Sequence, residues 1–306
     1  MRRFLCVILV IFVSTAVSLA ARAISEQEYV PIEDSAYRLN FYNGHFYFDA
    51  VVEGIPVKDI LLESAIPGLL IGEDLFEKSF NHFGLENFEK QEGKKIVLHN
   101  NSYEIEYIHP MTLNINDGVF SGKVFVLKGY DKLALPVQYF AYKNSSKPYL
   151  KIDIAGKVME FINDEEWDKT TYRQFELERI KGFPIVSTEF TIESSGKTGV
   201  IPNSRYILDL GNGSLVFLMK GNKEVDLMLN NSGIEAFEAK NRDGQVISEA
   251  IMADTCIVCG RQFENQPIGV TDRMKPLQAF SGLIGLKFFT VPVVFDFERG
   301  KFYIRK

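Results

Sequence analysis

The chain has 306 residues, 46% of them hydrophobic, which is enough for two domains or one large one with a sizeable core. The formal net charge is −6, and no Lys/Arg cluster is dense enough to grip a phosphate backbone, which argues against a nucleic-acid partner. Its 25 Phe and 13 Tyr mix with Val and Ile in short runs such as Phe46-Tyr47-Phe48 and Val293-Val294-Phe295, a pattern that predicts an all-β protein.

At the start of the chain, Arg2 and Arg3 precede an apolar stretch from Phe4 through Val17, followed by the small residues Ala20, Ala21 and Ala23. This is the layout of a secretory signal peptide, with cleavage after Ala20 or Ala23. Residues 1–23 are therefore expected to be a signal peptide and the protein to be exported, to a periplasm, a cell surface or the medium. The alternative is an uncleaved anchor, but the stretch is near the lower limit for spanning a bilayer. No later segment reads as transmembrane, so no membrane contact is expected beyond the signal. Loss of Arg2, Arg3 and Arg22 would take the net charge from −6 to −9.

A weak internal repeat follows. Ile55-Pro56 leads through Ile60-Leu61-Leu62 to Glu63, and Ile201-Pro202 leads through Tyr206-Ile207-Leu208 to Asp209. Each acid stands seven residues after its proline, and a new apolar run starts six residues beyond each acid, at Leu69 and Leu215. Further on, Leu135-Pro136-Val137 parallels Ile284-Gly285-Leu286. Tyr149 to Ile154 parallels Val291 to Phe297, each continuing through a Gly-Lys turn, Gly156-Lys157 and Gly300-Lys301. From acid to the later Asp153 or Asp296 the distance is 90 residues in one copy and 87 in the other. The spacing predicts two related halves, 30–163 and 183–306, joined by a charged helical or extended linker over 164–182. Helices are scarce; Asp74 to Phe83 is the best short candidate. Tyr103 and Tyr107 fall in a region that suits a hairpin. Cys256 and Cys259 lie in a segment that reads as strand, where residues three apart face opposite sides. Without a helix N-terminus or nearby histidines, a structural role fits them better than redox chemistry or zinc binding.

An acid directly after a buried strand is carried to the edge of the core. Burying its carboxylate is costly unless it is hydrogen-bonded or changes its pKa. After Asp209 the glycines of Leu210-Gly211-Asn212-Gly213 allow a tight turn whose amides can face the carboxylate. At Ile207-Leu208-Asp209-Leu210-Gly211, with the later Gly282-Leu283-Ile284-Gly285-Leu286 and the terminal Phe288-Phe289 to Phe302-Tyr303, the chain resembles the pepsin and retropepsin-like aspartic proteases. That family places an Asp-Thr/Ser-Gly turn after an apolar strand in each of two lobes, supported by an apolar-apolar-Gly segment. The resemblance implies an all-β, two-lobed pepsin-like acid-protease fold with an internal pseudo-twofold repeat. It also implies a catalytic pair, Asp209 and Glu63, and a water activated between the two carboxyls, one protonated and one not.

The first half departs from the family pattern. It reads Glu63-Ser64-Ala65, with a carboxylate one methylene longer, the hydroxyl kept and the glycine lost. A displacement of about an ångström can cost roughly a hundredfold in rate. Leu210 lacks the hydroxyl of the family's second turn, and Pro136, without an amide donor, stands where a supporting glycine belongs. Two functions are therefore expected on equal terms. One is an exported aspartic endopeptidase-like enzyme acting on peptide or protein. The other is an inactive relative that binds peptide or another ligand in its cleft. A purely structural role is the third alternative. No cofactor and no metal are expected, and a monomer is.

Overall fold

The computed structural model describes residues 36–98, 101–240, 246–272 and 277–306, which belong to one compact unit, Asp34–Lys306. The expected signal peptide, 1–23, lies outside the described residues. The described chain is all-β, with its strands in one sheet of 13 and one of 10.

The chain enters through Ala36–Arg38 (β1), Asn40–Tyr42 (β2), His45–Val52 (β3), Ile55–Glu63 (β4) and Leu69–Gly72 (β5). Between β3 and β4, Glu53 and Gly54 take φ of 50° and 82°, the twist that a two-residue hairpin needs. Helix α1 (Glu73–Ser79) and a 3-10 turn at Asn81–Phe83 fall on the helix expected at 74–83. Then come Glu89–Lys90 (β6), Lys95–Leu98 (β7), Asn101–Ile115 (β8), Gly118–Lys128 (β9), Leu133–Pro136 (β10) and Phe140–Tyr142 (β11). Tyr103 and Tyr107 stand on β8, which pairs antiparallel with both β7 and β9, so the expected hairpin region is one. Around Glu63, β4 pairs antiparallel with β3 and parallel with β10, setting Leu62 opposite Leu135 and Glu63 opposite Pro136. β10 then pairs antiparallel with β5, and β5 parallel with β9.

After Tyr149–Asp153 (β12), Val158–Ile162 (β13) and Tyr172–Ile180 (β14), the chain forms Phe183–Ser194 (β15), Lys197–Leu208 (β16) and Val216–Met219 (β17). It continues through helix α2 (Lys223–Ser232) to Phe237–Lys240 (β18), Val246–Val258 (β19), Arg261–Thr271 (β20), Gly282–Ile284 (β21), Val293–Asp296 (β22) and Lys301–Arg305 (β23). Before Asp209, β16 pairs antiparallel with β15 and parallel with β21, setting Leu208 opposite Ile284. β21 pairs antiparallel with β17, and β17 parallel with β20.

The hairpins β12–β13 and β22–β23 join edge to edge, with Leu150 opposite Phe295, Lys151 opposite Val294 and Ile152 opposite Val293. In each hairpin an aspartate accepts from the backbone three residues on: Asp153 Oδ1 from Gly156 N at 2.8 Å and Asp296 Oδ1 from Arg299 N at 2.9 Å. Lys157 at φ 55° and Gly300 at φ 64° therefore hold the same place, one residue off the Gly-Lys match that the sequence suggested.

Three elements carry detail beyond the sequence reading. The segment 164–182, expected as a helical or extended linker, is extended over β14, which pairs with both β23 and β15. Its charges face solvent while Leu177 is buried and Phe175 packs on the core, so two apolar side chains anchor a strand that its composition hides. Helix α2 was not expected. It starts at Asn222, whose Oδ1 accepts from Glu224 N and Val225 N, and stops at Gly233 with φ 64°. Finally, β19 ends at Val258, and Cys259-Gly260 makes the turn into β20. Both cysteines are free and fully buried, and burial pushes their thiols up to about 12, which suits core packing rather than thiolate chemistry.

Candidate active site

The site is built where β4 and β16 end. Both strands finish on continuous buried runs, Ile60-Leu61-Leu62 and Tyr206-Ile207-Leu208, because parallel pairing and apolar clusters cover both of their faces. Ile60 and Leu62 point into the main core, whereas Leu61 points into a smaller cluster with Tyr47, Ile66, Leu70 and Tyr130. The period of two places Glu63 on the face of Leu61. In the same way Tyr206 and Leu208 join the main core, and Ile207 a separate cluster with Ile185, Met219 and Phe280.

Both expected site residues are buried, Glu63 at 2% exposure and Asp209 at 9%. They meet at Gly211. Asp209 Oδ1 accepts from Gly211 N at 3.0 Å. The Glu63 carboxyl lies over the Gly211 Cα, so closely that a Cβ at this position would overlap Oε1, Oε2 and Cδ. Gly213, two residues on, has nothing within 4 Å of the same construction. Gly211 is thus needed for close approach, and its neighbour is not.

Ser64 ties the two turns together. Its buried hydroxyl donates to Leu208 O at 2.8 Å and accepts from Leu210 N at 2.8 Å, the backbone groups on either side of Asp209. Leu210 offers no hydroxyl in return and is buried in the main core.

Backbone supports the Asp209 turn. Asp209 N donates to Ile284 O at 2.8 Å, Gly285 N to Leu215 O at 3.0 Å and Leu286 N to Asn212 O at 2.7 Å. A Cβ on Gly285 would come within 2.5 Å of both Asn212 O and Ser214 O, so that supporting glycine fits the tight packing. At the Glu63 turn, where Pro136 has no amide to give, a side chain does the tying. Gln138 Nε2 donates to Ile66 O at 3.0 Å and to Gly182 O at 2.8 Å.

Burial pushes the Glu63 carboxyl up to about 8, against the opposing pull of the Ser64 and Ala65 amides. Glu63 therefore carries a proton at neutral pH. Burial also raises the tyrosines of its cluster: Tyr130, with the Glu63 charge the next cause, and Tyr47, with Asp59 and then Glu63. These two were not singled out from sequence. Their only signal is aromatic character, which the chain carries in abundance.

Among the described residues no group of three or more His, Cys, Asp or Glu could hold a metal ion, and no helix is long and apolar enough to cross a membrane. No protein-family model matches the chain, and no curated protein matches it in sequence.

Three outcomes follow from this geometry. Ser64→Ala strands two buried backbone groups and should destabilise by about 2–4 kcal/mol in urea unfolding, whereas Ser64→Thr, which keeps the hydroxyl, should recover most of that. Gly211→Ala should cost about 1–3 kcal/mol by overpacking against Glu63, and Gly213→Ala well under about 1 kcal/mol. The third concerns pH. The folded pKa of Glu63 is raised, so its stabilising contribution is complete below the ordinary 4.5 and is lost as pH rises through about 8. Glu63→Gln removes that loss. Its melting temperature should match wild type near pH 4.5 and exceed it by roughly 5 °C or more above pH 8; parallel melting curves across this range would refute the shift.

Proposed function

We propose that the chain is an exported, pepsin-like protein of two related halves that hydrolyses peptide bonds with Glu63 as acid and Asp209 as base. The observation that carries this reading is the meeting of two buried carboxyls on Gly211, with the Ser64 hydroxyl fixing one turn against the other.

The strand pairings support the duplication. The order in which β3, β4, β5, β9 and β10 pair is also the order for β15, β16, β17, β20 and β21. Setting Asp153 equivalent to Asp296 makes Lys151 equivalent to Val294, and these two lie opposite each other. A twofold axis through that pair exchanges the Leu150–Phe295 and Ile152–Val293 pairs. The outer neighbours obey it too, β1 against β13 and β14 against β23.

The chemistry assigns the roles. Asp209, as carboxylate, takes a proton from a water while the water oxygen bonds to the peptide carbonyl carbon. Glu63, protonated at neutral pH, gives its proton to the carbonyl oxygen, producing a gem-diol. Asp209 then passes its proton to the nitrogen while Glu63 takes one back from a gem-diol hydroxyl, the C–N bond breaks, and acid and amine leave with both carboxyls restored. No covalent intermediate is needed. Export is proposed from the N-terminal layout of Arg2, Arg3, the apolar stretch and Ala20 to Ala23.

A second reading has its own support. Glu63 is almost fully buried, and Leu210 cannot return the hydroxyl tie that Ser64 makes. Both features suit a relative that binds peptide without cutting it.

A peptide-library cleavage assay from pH 3 to pH 9 separates the two. Hydrolysis should fall above about pH 8, where Glu63 loses its proton, and should drop by roughly 10²–10⁴ in Asp209→Asn. Cleavage that survives Asp209→Asn would sink the mechanism. No cleavage at any pH, with saturable peptide binding, would select the second reading.

A further inference from the structure

Tyr130 follows Gly129 in the link between β9 and β10 and is 7% exposed. Its ring packs edge-on against Tyr103 of β8, with centroids 5.2 Å apart. It shares its cluster with Leu61 and Ile66, which stand on either side of Glu63, and lies on the sheet face to which Glu63 points. The Tyr130 hydroxyl is buried and has no hydrogen-bond partner among the described residues. A buried hydroxyl left without a partner is costly, and ordered water is the usual remedy.

The groups near this hydroxyl narrow the choice of what lies beyond such a water. Tyr47 of β3 and Tyr103 of β8 pack in the same cluster, and the charges that act on the hydroxyl are those of Glu63 on β4, then Tyr47, Tyr103 and its chain neighbour Asp131. Asp131 is exposed and Tyr47 is itself held protonated, whereas the Glu63 carboxyl, with Asp209 beside it at Gly211, is the buried acid on this face.

We propose that Tyr130 is a positioning residue for Glu63: through one bridging water its hydroxyl donates to the Glu63 carboxyl, steadies it over Gly211, and sets the pH at which it gives up its proton. The inference rests on the reading of Glu63 as the acid of the site. A neutral donor favours the ionised carboxyl, so loss of the hydroxyl raises the pH at which Glu63 ionises. Tyr206 provides the comparison. Its hydroxyl is also buried and without a partner among the described residues, but it lies in the main core, where Cys259 is the titratable group that acts on it.

The experiment measures melting temperature from pH 4 to pH 10 for wild type, Tyr130→Phe and Tyr206→Phe, each with and without Glu63→Gln. Phe fills the same volume, and a hydroxyl without a protein partner is not needed for folding. In each pair the gap to the Gln variant widens with pH and stops widening where folded Glu63 has ionised. That break is expected near pH 8 in wild type, higher by about half a unit or more in Tyr130→Phe, and unmoved in Tyr206→Phe. A break unmoved in Tyr130→Phe, or moved equally in Tyr206→Phe, overturns the proposal. No activity is read, so absence of peptide cleavage by wild type would defeat the proposed function and leave this result standing.

Discussion

Glu63 must hide a carboxyl group from water, and much of the local structure follows from how that is done. An ionised carboxylate without compensation is expensive in such a place, so the group keeps its proton up to about pH 8 and lies flat against a backbone with no side chain. The closeness of that contact fixes the distance between two turns 146 residues apart in sequence. The Ser64 hydroxyl fixes their register by bonding to the carbonyl before Asp209 and the amide after it. Together the two contacts bring one acid to the other.

The strands behind the turns make this arrangement stiff. β4 and β16 each end in three residues sealed on both faces, so neither turn can shift without disturbing two apolar layers. The period of two then decides where each acid points. A slip of one residue would turn Glu63 from its tyrosine-lined cluster into the main core. The parallel partners β10 and β21 set the height of each turn, and the difference between Pro136 and Gly285 sets how it is tied. Backbone amides lace the Asp209 turn, and the Gln138 side chain holds the Glu63 turn.

Much of this was legible in the sequence for a physical reason. An acid after a doubly buried strand is rare enough to stand out, and two at matching distances from a later Asp stand out further. Sequence matches Leu62 to Leu208 and Leu135 to Ile284, and the strand register is consistent with that match, pairing Leu62 with Leu135 and Leu208 with Ile284. The features that stayed hidden depend on tertiary context. β14 carries four charges in nine residues and owes its strand state to the neighbours β15 and β23. The Gly-Lys match was off by one because Lys157 accepts a positive φ where the other hairpin uses Gly300, so identity misled where backbone conformation would not have. Tyr130 is one of 13 tyrosines, and what sets it apart is tertiary: a buried hydroxyl with no partner among the described residues, in the cluster that holds Leu61 and Ile66.

The asymmetry of the two turns has one physical logic. Where the acid is the longer Glu63, the residue it reaches across to is Gly211, which has no side chain to obstruct it. Where the acid is the shorter Asp209, the matching position in the opposite turn is Ala65, whose methyl packs into the apolar cluster with Phe183 and Phe217. An extra methylene on one carboxyl and an extra methyl on the other turn are thus linked exchanges of volume rather than two separate losses. The same exchange divides the protons. The longer acid is driven deep enough to stay protonated at neutral pH, and the shorter one keeps a backbone N–H aimed at its oxygen, the contact that suits a carboxylate. Burial is the largest cause of the raised Glu63 pKa, so in the proposed reaction the longer acid is the one suited to arrive protonated.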